Sequence, residues 1–275
     1  MLVILKCFGF RPLCLMRCFS EAIEVSKMKR KHSRNVNYYV PLLSEVRRES
    51  IKKIVSLQMS GRYLSCTTIL RDGNILKDWK MLYMPEDMNK MNLDDVYNSV
   101  AALMKDLPES DIYLIENYVK MPNNVNVAGA NLFYVKLQTL AMLIALINSG
   151  QAVNTRNNTT TNNNTQESMN KVILMKARLH ARLFRIIVGT EIISSQDITE
   201  LMLKGVFPEY ITPVVPAIDA ILSYRSVKEP ILRELMSNGL MLAMAFVDLV
   251  LNSNSKSMQA LNESSKRKLK TTKKL

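Results

Sequence analysis

The chain reads as one α/β domain, a mixed five-stranded sheet flanked by helices, and three observations predict it. Three short apolar or alternating runs follow one another between residues 51 and 83, broken by glycine-bearing turns. Two more short apolar runs, at 112–115 and 172–175, alternate with longer segments of helical spacing. At 275 residues and 48% hydrophobic, the chain can bury one sizeable core.

IVSLQM, YLSCTTIL and ILKDWKMLY are separated by Ser60-Gly61 and by Asp72-Gly73-Asn74. Asp-Gly supplies the positive φ of a tight hairpin, so the three runs predict an antiparallel meander. Asn92 caps the helix that follows, with Asp94 and Asp95 in its first turn. Leu93, Val96, Tyr97, Val100, Met104 and Leu107 recur at helical spacing, and Pro108 ends the element. The run IYLI at 112–115 suits a central strand covered on both faces. Residues 129–149 predict a strongly apolar helix closed by Gly150. Between Asn154 and Gln166, eleven of thirteen residues are Asn or Thr, which predicts a disordered loop over 152–168. A strand at 172–175 and a helix to about Val188 follow, then a short helix near 196–204 and a turn with Pro208, Pro213 and Pro216. A long helix from Lys228 to Leu251 carries Pro230 in its first turn. Its stripe of Met236, Leu240, Met244 and Val247 suits either the core or a dimer face. The domain therefore spans 51–251, with 35–50 as a linker and 252–275 as a disordered basic tail.

Charge is concentrated at the ends. The net charge of +13 divides into +6 for residues 1–34, +1 for 35–251 and +6 for 252–275. Lys6, Arg11 and Arg17 sit among apolar residues with no acid before Glu21, the pattern of a mitochondrial presequence. The same two arginines make the apolar run too short for a membrane span. Import into the matrix with cleavage between Phe19 and Asn35 is the expectation. The tail SSKRKLKTTKKL suits either phosphate contacts or a solubilising end. Arg178, Arg182 and Arg185, at i, i+4 and i+7, would share one helix face, either solvated or laid against a phosphate backbone.

Several chemistries are excluded. The eight glycines form no GxG pair and no GxxxxGK, which removes dinucleotide fingerprints and P-loops. Two histidines, His32 and His180, leave little for a histidine-built metal centre, and four cysteines form neither a disulfide framework nor a CxxC knuckle.

The order of elements (three meandering strands, helix, strand, helix, strand, helices) is that of the ribonuclease-H-like fold. Nucleases on that fold hold two divalent cations on clustered carboxylates, since in-line attack on a phosphodiester needs both oxygens stabilised. DIYLIENY at 111–118 is similar to the strand-end Ile-Glu motif of RuvC-type and fungal mitochondrial Holliday-junction resolvases, with Glu116 in the acid position. Their first strand begins with a Ser-Ile-Asp-like motif, where this chain has Ser56-Leu57-Gln58. Their last helix carries an acidic cluster, where this chain has Glu234 and then Asn238. Neutral Gln58 and Asn238 cannot compensate for dehydrating magnesium, so these four positions are expected to be vestigial, with no metal, no cofactor and no catalysis.

Residues 49–251, through the ESIKKIVSLQMSGRYLSCTTILRDGNILKDWK stretch, the IYLIENY strand and the ELMSNGLMLAMAFVDLVL helix, resemble the pseudonuclease domain of the mitochondrial transcription elongation factor of animals. That resemblance implies a dimerising, non-catalytic domain that assists mitochondrial RNA polymerase on its DNA template and nascent RNA in the matrix nucleoid, without a membrane. The family usually carries a helix-hairpin-helix domain ahead of this fold, and residues 35–50 are too few to hold one. Two rival readings remain. One is an active magnesium-dependent junction resolvase using Glu116, Glu234 and a substitute ligand such as Asp248. The other is a structural or assembly protein with no nucleic-acid partner.

Overall fold

In a computed structural model of the chain, residues 38–86, 90–117, 127–156, 170–188 and 191–271 are described, all but Tyr38 within the unit Tyr39–Leu275. The expected presequence and residues 157–168 of the Asn/Thr tract lie outside the described residues. A two-residue strand, β1 (Tyr39–Val40), and a short helix, α1 (Glu45–Ser50), occupy the segment expected as a linker. The meander then forms where its turn residues place it, as β2 (Lys53–Ser60), β3 (Tyr63–Leu70) and β4 (Ile75–Tyr83). Both turns use left-handed backbone: φ is +54° at Gly61, +74° at Gly73 and +49° at Asn74.

Helix α2 (Leu93–Asp106) starts on a reciprocal capping box, in which Asn92 accepts from the Asp95 N–H and Asp95 accepts from the Asn92 N–H. Strand β5 (Ile112–Asn117), helix α3 (Val127–Arg156) and strand β6 (Val172–Lys176) follow. The sheet order is β1–β6–β5–β2–β3–β4–β9, with β9 at Val215–Pro216. The meander is antiparallel, while β5 runs parallel to β2 and β6 parallel to β5. The sheet therefore has seven strands rather than five. The additions, β1 and β9, are two-residue edge strands, and two residues carry no readable periodicity.

One face packs under α2 and α3. Val55, Leu57, Met59, Leu64, Cys66, Tyr113 and Ile115 meet Val96, Val100 and Leu103 of α2 and Val135, Leu140, Leu143 and Ile147 of α3. Helix α3 continues to Arg156, through Gly150 and the start of the expected loop, because one helical glycine costs only about 1 kcal/mol. By length and composition two stretches among the described residues, Gly129–Ser149 and Pro230–Leu251, could cross a bilayer, but the second is mostly buried inside the fold.

The C-terminal half supplies the opposite layer. After β6 come α4 (Leu179–Leu183), a small ribbon of β7 (Ile187–Val188) with β8 (Glu191–Ile192), α5 (Ser195–Leu203) and α6 (Ile218–Ser226). Helix α7 (Pro230–Phe246) continues as a π-helical turn at Val247–Leu251 and lies on β2 and β3. Met236, Leu240, Met244 and Val247 are all buried, but so are Met241, Leu242, Ala243, Ala245 and Phe246, so the C-terminal half of α7 is enclosed on every side. That settles the stripe as core. The expected tail is largely helical: α8 (Ser255–Thr271) buries Ser257, Ala260 and Leu261.

Gly239 sets how close α7 comes to the sheet. A Cβ there would lie 2.7 Å from Thr67 Oγ1 and 3.5 Å from Ser65 Oγ. Thr67 is β-branched and buried, so it cannot rotate away freely. Gly239→Ala is expected to lower stability by about 1–3 kcal/mol through overpacking, despite the better helix propensity of alanine. Denaturant melts should show Thr67→Ala recovering much of that loss.

Candidate functional site

Alternation along β2 sends Val55, Leu57 and Met59 into the α2–α3 layer and turns Ser56 and Gln58 toward α7. Gln58 stands opposite Ser65 of β3. On its other side Leu57 pairs with Ile115, which brings Gln58 beside Glu116 of β5. Ser65, Gln58 and Glu116 thus form a polar row across three adjacent central strands, and their exposures are 0%, 2% and 5%. Above the row, α7 presents Asn238 and Gly239. His180 of α4 completes the group: its ring is hydrogen-bonded with the Asn238 side chain and lies within electrostatic range of Glu116 and Glu234.

Three of the four positions expected to be vestigial, Gln58, Glu116 and Asn238, therefore converge on one place, around a histidine that no sequence pattern marks. A single histidine buried on a five-residue helix has no spacing signature, so only the tertiary fold reveals it. Burial pushes the His180 pKa down against the raising effects of Glu116, the Asn238 hydrogen bond and Glu234, so the ring is neutral at pH 7. The buried His180 Nδ1 and the Oγ atoms of Ser56 and Ser65 make no hydrogen bond.

Glu116 is engaged. One carboxylate oxygen accepts the Arg178 N–H at 2.6 Å, which holds the β6–α4 turn. Its charge also acts on Lys136 of α3, whose pKa burial lowers and Glu116 partly restores. Sequence reasoning did not single out Lys136, because a lone lysine in an apolar helix has no distinguishing pattern.

Glu234 lies within electrostatic reach of His180 but does a different job. Its carboxylate receives the Ser195 N–H at 2.9 and 3.1 Å, the Ser194 hydroxyl at 2.9 Å and the Gln196 amide at 3.4 Å, so it closes the N-terminus of α5. Burial raises its pKa, but these hydrogen bonds outweigh burial and leave it below 4.5. A depressed folded pKa means that the contribution to stability is complete above about pH 4.5 and is lost as pH falls through the folded value. Glu234→Gln should accordingly be less stable than wild type at pH 7, with the difference narrowing below pH 4.5; thermal melts across that range test it.

Asp248, the substitute ligand of the resolvase reading, lies ten residues past Asn238, about 15 Å along a helical path. It is 1% exposed and accepts from the Thr212 N–H, the Thr212 hydroxyl and the Ser257 hydroxyl. The structure does not bring it to Glu116. Among the described residues no group of three or more His, Cys, Asp or Glu side chains is placed to hold a metal ion. Burial holds the Cys66 thiol protonated, its pKa pushed up to about 12, which removes it as a nucleophile.

The arginine stripe is also corrected. Arg178 and Arg185 both adopt left-handed backbone, with φ of +57° and +56°, and they bracket the five-residue helix α4. Only Arg182 is helical, and it is half-buried. The three do not form one helix face, and the helix does not reach Val188. Spacing alone could not reveal the break, since neither residue is a glycine or an asparagine.

Chemically, the cluster offers one hydrogen-bonded carboxylate, two amides, a neutral imidazole and hydroxyls. Such a set makes hydrogen bonds but lacks the negative charge that two divalent ions require. No family model matches the chain, and no curated protein matches it.

Proposed function

We propose that this chain is a non-catalytic mitochondrial transcription elongation factor. In this reading it assists mitochondrial RNA polymerase on DNA template and nascent RNA, as a homodimer in the matrix nucleoid, through a ribonuclease-H-like pseudonuclease domain. One observation carries the reading. Gln58, Glu116 and Asn238, far apart in sequence, meet on adjacent elements, and two of the three are amides where metal chemistry needs acids. The strand order β4–β3–β2–β5–β6, with only the middle strand of the meander antiparallel to the rest, supports the same fold assignment. Exposed Tyr134 and Leu137 on the outer side of α3 support self-association.

The test is an elongation assay with purified mitochondrial RNA polymerase. Adding the protein should lengthen transcripts, and Glu116→Gln should act like wild type because no step uses its charge. Transcripts unchanged at saturating protein would refute the reading.

A further inference from the structure

We propose that the open end of strand β4 and the cleft between it and helix α2 form a docking site for an extended, arginine-bearing peptide segment of a partner protein. The site lies apart from the Gln58–Glu116–Asn238 cluster and does not depend on the elongation reading.

The sheet leaves this edge unfinished. Strand β9 pairs with β4 only at Ile75 and Leu76. A register shift facing the Thr68–Ile69 step, and the Ser223 hydroxyl that donates to the Trp79 carbonyl, close the next part of the edge. Past Trp79 the outward side is bare. The Met84 N–H donates to the Arg62 carbonyl at 2.8 Å, and in an antiparallel ladder only alternate residues bond to the same neighbour. Leu82 and Lys80 therefore bond to β3, while Met81 and Tyr83 turn their N–H and C=O groups outward, as Trp79 does. Among the described residues no strand or side chain takes these groups. Two strand residues span about 6.8 Å, a repeat that another extended polypeptide matches.

Beside this edge lies a cleft of about 560 Å³, within the size range of ligand pockets. Buried Met84 and Leu103 form its floor. Ala102, Asn98, Asp106 and the exposed Tyr83 ring stand around it. Tyr83 thus belongs to both edge and cleft, so a segment paired at its backbone sets a side chain over the cleft. Asp106 is the one charged residue in this lining, and among the described residues it makes no ion pair and no hydrogen bond. Helix α2 carries Asp94, Asp95 and Asp106 against Lys105 alone, so the cleft is locally acidic in a chain of net charge +13. An anionic ligand is repelled there. An arginine fits: its guanidinium pairs with a carboxylate and stacks on an aromatic ring, and its methylene stem covers apolar surface.

The experiment screens the full chain against an immobilised library of seven-residue peptides with each position varied in turn. Arginine should be selected at one position. The selected peptide, labelled with fluorescein, is then titrated by anisotropy. Asp106→Asn should weaken binding about threefold to fivefold, the worth of one exposed ion pair, with an unchanged melting temperature. N-methylation of alternate peptide amides should abolish binding in one register and spare it in the other, since only every second N–H faces β4. Selection of no peptide or of acidic peptides would overturn the proposal, as would wild-type affinity in Asp106→Asn or equal loss in both methylation registers. So would a homodimer that dissociates in Met81→Pro, which deletes only an outward N–H, because a second copy would then occupy the edge.

Discussion

Asp248→Ala is expected to cost about 3–5 kcal/mol, because it strands several buried donors at once. The Thr212 N–H and hydroxyl and the Ser257 hydroxyl all converge on this carboxylate, which is 1% exposed in the π-helical turn. A hydrogen bond to a charged group is worth about 1.5–3 kcal/mol, and an unpaired buried donor adds its own desolvation penalty. The same bonds tie the loop before β9 to the start of α8, so the loss should spread beyond one residue. Asp248→Asn, which keeps one acceptor oxygen, should lose about half as much. Urea denaturation measures both. A cost below about 1 kcal/mol for Asp248→Ala would mean that the network is not structural.

Trp79→Ala should be about as damaging, at about 3–5 kcal/mol. Trp79 is fully buried on β4, its ring stacked on Tyr224 of α6 at 4.4 Å with an 11° interplanar angle. Its Nε1–H donates to the Met236 carbonyl at 3.1 Å, so one side chain joins sheet, α6 and α7. Truncation removes the stacking and leaves a cavity that three elements would have to close together. Tyr224→Phe keeps the stack and loses only the hydroxyl contact with Ser237, so about 0.5–1.5 kcal/mol is expected. Equal costs for the two substitutions would show that the ring stack contributes little.

The central strands and the long helices were legible because their signals are local. Asp72-Gly73-Asn74 demands a hairpin, and the Asn92/Asp95 pair demands a helix start. The arginine series was misread because its helix is interrupted by left-handed Arg178 and Arg185, whose conformation is imposed by packing. Part of that imposition is visible in the Glu116 carboxylate on the Arg178 N–H. The tail was misread for the opposite reason. Its composition is polar and basic, and only the docking of Ser257, Ala260 and Leu261 makes it an ordered helix. Positions Gln58, Glu116 and Asn238 could be named from sequence as separate motifs. Their meeting, and the histidine and lysine beside them, depends on register and helix placement that no local pattern encodes.

Such a site, with one carboxylate already committed to a backbone N–H, should bind no magnesium and cut no phosphodiester. The most direct check is to incubate the purified protein with a labelled four-way junction and millimolar magnesium, then resolve the products on a denaturing gel. The account predicts an intact junction for wild type and for Glu116→Gln alike. Magnesium-dependent cleavage by wild type that disappears in Glu116→Gln would contradict it and reinstate an active resolvase.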